Sequence, residues 1–444
     1  MDLDPLTALS PIDGRYRKQT ETLASYFSEF ALIRKRVHVE TEYLIFLSEK
    51  KFFPLAAPLK KKLRQQASDF SIEDALKVKA LEKTTNHDVK AVEYFIKQEL
   101  SALGGSAIKE WVHFGLTSQD INHTAVPCLW KEALEEIYLP ALINLQADLQ
   151  RMASRCEKAP MLARTHGQPA SPTRMGKELM VFAERIENQL ALFVHIPFTG
   201  KFGGATGNFN AHHAAFPKYD WKRFADQFLE KRLGLQRQQY TTQIEHYDLL
   251  AAHFDSIRRI NTILLDFCRD IWTYISMEYF LQKSVKGETG SSAMPHKINP
   301  IDFENAEGNL GIANALLAHL SEKLPISRLQ RDLSDSTVLR NIGVPLAHTL
   351  IALEAMRKGM GKLELNEKKM NADLLDNWAV VAEAVQTILR REGFPEPYEK
   401  LKELTRGQKH IDRNALHRFI DALNIKSGVK KELKSITPLN YTGI

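Results

Sequence analysis

Apolar residues recur at helical spacing over stretches much longer than the roughly 10–14 residues of an average globular helix. In residues 174–195, Met175, Leu179, Phe182, Ile186, Leu190 and Phe193 step by four, three, four, four and three. That is a single stripe of the kind that packs in a bundle. Residues 248–280 repeat the pattern with Leu250, Phe254, Ile257, Leu264, Cys268, Ile271 and Ile275. Asn261 falls on the same stripe, where a hydrogen-bonded bundle residue is expected. Leu142, Leu145, Leu149 and Met152 mark a further helix, expected to begin after Pro140. Residues 301–320 and 336–360 give two more, and Pro345 is expected to kink the last. Helices of this length side by side predict an all-α chain around a long bundle, with an apolar side for partner subunits.

The ends read differently. Residues 1–110 combine shorter helices with breaks at Pro54 and Pro58, and shorter helices return after about 365, broken by "GFPEP" and "TRGQ". The expected domains are therefore 1–110, a central 111–365 and 366–444. The net charge of +6 is mild for 444 residues. It suits a small anionic substrate as well as it suits nucleic acid. The basic runs, Lys60 to Arg64 and Lys430–Lys431, read as solvated helix faces; no interleaved aromatics suggest base stacking, so no nucleic-acid partner is expected. Cys128, Cys156 and Cys268 are far apart and show neither zinc spacing nor a disulfide framework. No metal or cofactor is expected. With no signal-peptide pattern and no membrane-length apolar run, the expectation is a cytoplasmic chain without a membrane partner.

One loop breaks the helical pattern sharply. "GETGSSAMPHKINP", 287–300, packs two glycines, paired serines, a His-Lys step and an Asn-Pro step into a short span. Asn299 and Pro300 read as N-cap and first helical residue, with Asp302 placed to complete a capping box. A plain connector with a good cap needs no serines, His296 and Lys297 together. Hydroxyls, an ammonium and free backbone N–H groups suit carboxylate binding.

"GSSAMPHKINP" resembles the signature loop of the fumarase/aspartase superfamily, and His296 makes it similar to the adenylosuccinate lyase family in particular. "SPIDGRY" (10–16), "TTNHDVKAVEYF" (84–95), "HFGLTSQDIN" (113–122), "RTHGQPASPT" (164–173), "TTQIE" (241–245) and "RDLSDSTVLRN" (331–341) resemble segments of that family in the expected order. The match is closest to a bacterial branch with a long N-terminal domain. The resemblance implies a three-domain fold whose central bundle forms a homotetramer core, with each site built from three chains. It also implies β-elimination: fumarate leaves adenylosuccinate to give AMP, and leaves its imidazole counterpart SAICAR to give AICAR.

Such a reaction must remove a weakly acidic C–H proton beside a carboxylate and protonate the leaving nitrogen. By resemblance Ser291 is the general base. A serine alkoxide would need donors such as Lys297 and a closed, dry loop, for which the glycines would act as hinges. His166 is the matching general acid. His87 and His113 match substrate-site histidines that would tune His166 or hold the phosphate; as a bare residue His113 could equally cap a turn, and for His87 that reading is weaker. Glu304 matches the residue that pairs with the acid histidine. Arg15, Tyr16, Lys297, Arg331, Ser336 and Arg340 are implied to hold the carboxylates and phosphate. Taken alone, Arg331 and Arg340 would read as surface partners of Asp332 or Asp335. Thr117, Ser118, Gln243, Asn299 and Asn305 would offer hydrogen bonds around the succinyl group. Asn86, Asp88, Ser292, Ile298, Thr337, Val338 and Leu339 fill the remaining motif positions.

The chain stops at "TPLNYTGI", where relatives usually continue, so weaker C-terminal packing is expected. Argininosuccinate lyase, fumarase or aspartase activity is the alternative within the superfamily, disfavoured by His296, "NHD" and "DSTVLR". A non-catalytic bundle protein, as in eye lens, is disfavoured by the presence of Ser291, His166 and Lys297.

Overall fold

The computed structural model describes residues 4–283, 294, 297–405 and 411–444. About 67% of the chain is helical. The strands among the described residues form four two-stranded ribbons, each strand two or three residues long. The all-α expectation holds. The long stripes fold as helices Met175–Phe193, Asp248–Ser276, Ile301–Lys323 and Gly343–Gly361. On Ile301–Lys323 and the residue after it, Phe303, Ala306, Leu310, Ala313, Leu317, Leu320 and Leu324 are all buried. Their alternating steps of three and four give the seam of a helix bundle. Asn261 is fully buried and donates to Thr349 Oγ1 (3.0 Å), as a bundle polar residue should.

Packing divides the chain into two compact units. The first comprises Met1–Ile143, Asn188–Thr262 and Gly308–Glu354; the second comprises Asn144–Glu187, Ile263–Glu307 and Ala355–Ile444. In the first unit the helix Glu29–Glu49 is capped by Ser28, whose Oγ accepts from Ala31 N–H (3.1 Å). Its Tyr43 ring is fully buried against Phe202, Phe224 and Phe228, with centroids 5.4–6.1 Å away in tilted or edge-on contacts. Such pairs add to the burial of apolar area itself.

The helix Ser118–Ala133 carries the feature that organises this unit. Thr117 caps it in a capping box with Asp120. Pro127 lies inside it, and a proline has no N–H for the carbonyl four residues earlier. That carbonyl belongs to His123, whose backbone leaves helical values (φ −86°, ψ 18°). It accepts instead from Lys201 N–H (3.2 Å). The second chain segment can come this close because residue 200 is glycine: a Cβ there would sit 3.0 Å from His123 O. Lys201 then places its ammonium 2.7 Å from Asp120 Oδ1. Asp120 also accepts from the N–H groups of Thr117, Gly203 and Gly204 (2.8–3.1 Å). Both side chains are fully buried. Burial works against each charge and lowers the Lys201 ammonium; these donors nonetheless hold the Asp120 carboxyl below its ordinary value.

The second unit has a separate apolar cluster, including Val381, Val385, Leu389, Leu416, Ile420 and Leu433. Its chain end is tied down. Arg174 donates to Thr442 Oγ1 (3.0 Å) and to Gly443 O (2.9 Å), and Tyr441 donates to Glu383 (2.9 Å).

Three local expectations need correction. No helix starts after Pro140; a π-helical turn, Leu134–Tyr138, closed by Leu139 N–H donating to Leu134 O, joins Ser118–Ala133 to Leu139–Arg155 just before Pro140. Pro345 kinks nothing: the break falls at 340–342, between helices Ser334–Leu339 and Gly343–Gly361, and Pro345 sits in the first turn of the second, where its missing N–H is harmless. The 301–323 helix starts one residue late, with Pro300 O accepting from Phe303 and Glu304 N–H. Asp302 is drawn to Lys362 (2.9 Å) and Lys358 (3.4 Å), two positively charged partners.

Lys201→Met leaves the Asp120 carboxylate buried without its cation. We expect a stability loss of about 3–5 kcal/mol, read as a lower denaturant midpoint. A loss under about 1 kcal/mol would contradict this account of the fold.

Candidate active site

The first unit encloses a cavity of about 400 Å³, large enough for a small ligand. Three segments read from sequence converge on it: Asn86, His87 and Asp88; Ser118; and Arg331, Ser336, Leu339 and Arg340. They come from three local structures. Asn86 ends the helix Ile72–Thr85 in the left-handed conformation (φ 48°), which turns the chain sharply. His87 then caps Asp88–Ala102: its Nδ1 accepts from Lys90 N–H (3.1 Å). The ring proton is thereby assigned to Nε2, which lies 3.3 Å from Ser118 Oγ. His87 is both a helix cap and a cavity residue. Arg331 lies just before the short helix Ser334–Leu339, and Ser336 lies within it.

Three guanidinium groups, Arg36, Arg331 and Arg340, line the cavity beside two carboxylates, Glu82 and Asp88. Arg331 is steered by Gln243 Oε1 (3.3 Å) and, with the Gln119 amide oriented by its neighbours, by the Gln119 oxygen (3.1 Å from Nε). Arg340 meets Glu29 (3.2 Å). Arg36, which the sequence motifs did not flag, is nearly buried, donates to Asn122 Oδ1 (2.8 Å) and pairs with Asp88 (2.7 Å). Burial would raise the Asp88 carboxyl, but Arg36 and the helix N-terminus keep it below its usual range.

Behind the cavity lies a polar network that was also not evident in the sequence. His123 lines the cavity and is 1% exposed. Its Nδ1 accepts from Glu245 N–H (2.8 Å), so its proton belongs on Nε2, 2.7 Å from Tyr247 Oη. Burial lowers its pKa and favours the neutral ring. Tyr247 donates to Asp335 Oδ2 (2.8 Å). Against the upward push of burial, His123 and Tyr247 hold Asp335 at about 2. Glu245 accepts from Tyr247 N–H (2.7 Å) and Thr199 Oγ1 (3.2 Å), yet burial pushes its carboxyl from 4.5 up to about 7.

The other residues inferred from sequence are placed as follows. Thr117 is the N-cap of Ser118–Ala133. His113 (φ 60°) bonds buried Glu40 through Nδ1 (2.5 Å); burial pushes its pKa down, but Glu40 outweighs this and raises it. Gly115 in the same turn has φ +70°, and a Cβ there would meet His212 Nε2 at 2.8 Å. Arg15 stacks beside the Tyr16 ring (6.0 Å), just before the helix Arg17–Thr20. Thr337 and Val338 ride on Ser334–Leu339. His166, Lys297, Ile298, Asn299, Glu304 and Asn305 belong to the second unit, whereas the cavity lining comes wholly from the first. His166 (φ 52°) and Gly167 (φ 73°) form the exposed tip of the hairpin Arg164–Thr165/Gln168–Pro169. Two positive φ values suit a type I′ turn. Glu304 accepts from Trp272 Nε1 (3.1 Å). Ser291, Ser292, His296, Gly287 and Gly290 lie outside the described residues.

Among the described residues no cluster of three His, Cys, Asp or Glu side chains could hold a metal, and no helix is long and apolar enough to cross a membrane. The three cysteines are free and buried. Burial pushes the Cys128 thiol up to about 12, which makes it a poor nucleophile.

The Glu245 shift has a stability consequence. Between about pH 4.5 and 7 the unfolded chain has ionised this carboxyl while the folded chain retains its proton. The unfolded state then binds fewer protons, so this group's contribution falls as pH rises through that window and levels off above it. Glu245→Gln cannot ionise. Its melting temperature relative to the unsubstituted protein should rise from pH 5 to pH 8; a difference independent of pH would contradict the shift.

Comparison with known proteins fits this geometry. A family model described as "Lyase" matches residues 14–313, and one described as "Adenylosuccinate lyase C-terminal" matches residues 327–442. The chain is 57% identical to an adenylosuccinate lyase of Dictyostelium discoideum and 48% identical to one of Vibrio cholerae; each match covers 100% of this chain and 98% of the relative. A solved fumarate lyase from Mesorhizobium sp. BNC1 shares the fold, with a TM-score of 0.76 at 18% identity over 95% of both chains. Ordered motifs, fold and full-length similarity agree: the chain belongs to the adenylosuccinate lyase family of the fumarase/aspartase superfamily.

Proposed function

We propose that the protein cleaves adenylosuccinate to AMP and fumarate, and SAICAR to AICAR and fumarate. One observation supports this most: Arg331, Ser336, Arg340, His87 and Ser118, far apart in sequence, line one cavity. Both substrates join a phosphate to a succinyl-amine bearing two carboxylates. Guanidinium groups bind such anions in bidentate fashion. Arg15, Tyr16, Lys297, Thr117, Gln243, Asn299 and Asn305 extend this binding role.

In the proposed reaction Ser291 takes the C–H proton beside a carboxylate, and the resulting electron pair forms the C=C bond of fumarate. The C–N bond breaks, and His166 delivers a proton to the departing nitrogen. The step is redox-neutral and uses no water. Each general acid or base of this kind contributes about 10²–10⁴-fold.

The assembly we propose is a homotetramer in which three chains complete each site. This reading accounts for the exposure of His166 at a hairpin tip. Met180, Val181, Leu192, Trp272 and Ile312 are also exposed on the long helices, as apolar faces awaiting partner helices would be. The domains 1–110, 111–365 and 366–444 and a cytoplasmic location complete the proposal.

Fumarate and nucleotide release should be followed with both substrates beside a size measurement. Turnover by a tetramer is expected; no turnover of either substrate would sink the activity. Ser291→Ala and His166→Ala should each lower kcat by about 10²–10⁴-fold with assembly intact. Dissociated and reassociated together, the two variants should regain part of the lost activity, because mixed tetramers rebuild some complete sites. Full turnover in Ser291→Ala would remove that residue from its role, and no regain on mixing would argue against shared sites.

A further inference from the structure

Tyr247 occupies a costly position. Its backbone is left-handed (φ 64°), a region that side-chain-bearing residues avoid. It is 2% exposed, so the phenol is buried as well. Strain of this kind persists only where surrounding contacts fix it, and it concentrates at functional sites. Here Glu245 Oε2 accepts the Tyr247 N–H (2.7 Å), and His123, itself fixed by Glu245 N–H, meets the phenol oxygen (2.7 Å).

The hydroxyl's remaining bond reaches the substrate wall. Tyr247 donates to Asp335 Oδ2 (2.8 Å), and Asp335 Oδ1 accepts from Ser336 N–H (2.7 Å). Ser336 Oγ lies 3.5 Å from Arg331 Nη2. A continuous chain therefore runs from the strained turn through Asp335 to Ser336 and Arg331. Asp335 is buried and touches no open part of the cavity, so it acts through its neighbours.

We propose that Tyr247 is a positioning residue: it anchors Asp335 and so sets the first turn of Ser334–Leu339, aiming Ser336 and Arg331 at the substrate's anionic groups. The inference rests on the proposed function. It adds that ground-state binding of the anion, rather than proton transfer, depends on a hydroxyl outside the cavity.

The test is steady-state kinetics of Tyr247→Phe in the full-length assembled enzyme, with adenylosuccinate as substrate and the unsubstituted enzyme in parallel. KM should rise roughly tenfold, while kcat changes by less than about threefold. A variant that assembles with KM unchanged overturns the inference, as does a fall in kcat alone. A lower melting temperature with intact KM would mark the hydroxyl as merely structural and also overturns it. Should Tyr247→Phe fail to assemble, Asp335→Asn decides: it keeps the side chain's size, so a KM-selective defect supports the inference and an unchanged KM refutes it. Absence of turnover in the unsubstituted enzyme would instead refute the proposed function.

Discussion

The first unit is organised around one buried carboxylate. Asp120 would be untenable in a core without compensation, because desolvating a charge costs far more than a typical contact returns. Lys201 and three backbone N–H groups compensate it. This closure depends on a defect elsewhere in the same helix. Pro127 frees the His123 carbonyl, Gly200 lets a distant segment approach it, and Lys201 arrives as a result. A helix without the break would offer that segment no backbone acceptor.

The site inherits its geometry from this junction. Thr117, Ser118 and Gln119 stand at the start of the pinned helix, and His123 stands at its break. From there hydrogen bonds reach Tyr247 and Asp335 on one side and Arg331 through Gln119 on the other. Residues Asn86, His113, His166 and Tyr247 all have positive φ without being glycine. Each is at, or beside, a group implicated in binding or proton transfer. Lys51, Phe209, Glu278, Leu329 and Glu396 share this conformation, so a positive φ here marks a sharp turn, and in some of these turns it aims a side chain.

Much of this was legible in the sequence, for identifiable reasons. The stripes 175–193 and 248–276 are dictated by helical periodicity, which one strand of text records directly. The segments around His87, Ser118, Arg331 and Arg340 stood out through their ordered resemblance to family motifs; residue by residue, Arg331 and Arg340 would have read as surface ion pairs. The network of Glu245, His123, Tyr247 and Asp335 was hidden, since the bonds that join His123 to Glu245 and Tyr247, and Tyr247 to Asp335, span 88 to 124 positions and each residue alone resembles an ordinary core residue. Arg36 was hidden inside an otherwise apolar helix. Proline misled twice, at Pro140 and Pro345, because its effect depends on whether its missing N–H falls at a helix start or within a helix that can relax into a π-turn. Pro127 was the available signal for the His123 break: a mid-helix proline leaves a carbonyl four residues back in need of a donor.

A crystal structure of the assembled protein soaked with AMP and fumarate addresses the core of this account most directly. It should show ligand anions against Arg331, Ser336 and Arg340 in the pocket beside the Asp120–Lys201 junction, with that junction unchanged. Both products bound elsewhere while this pocket stays open to solvent would contradict it.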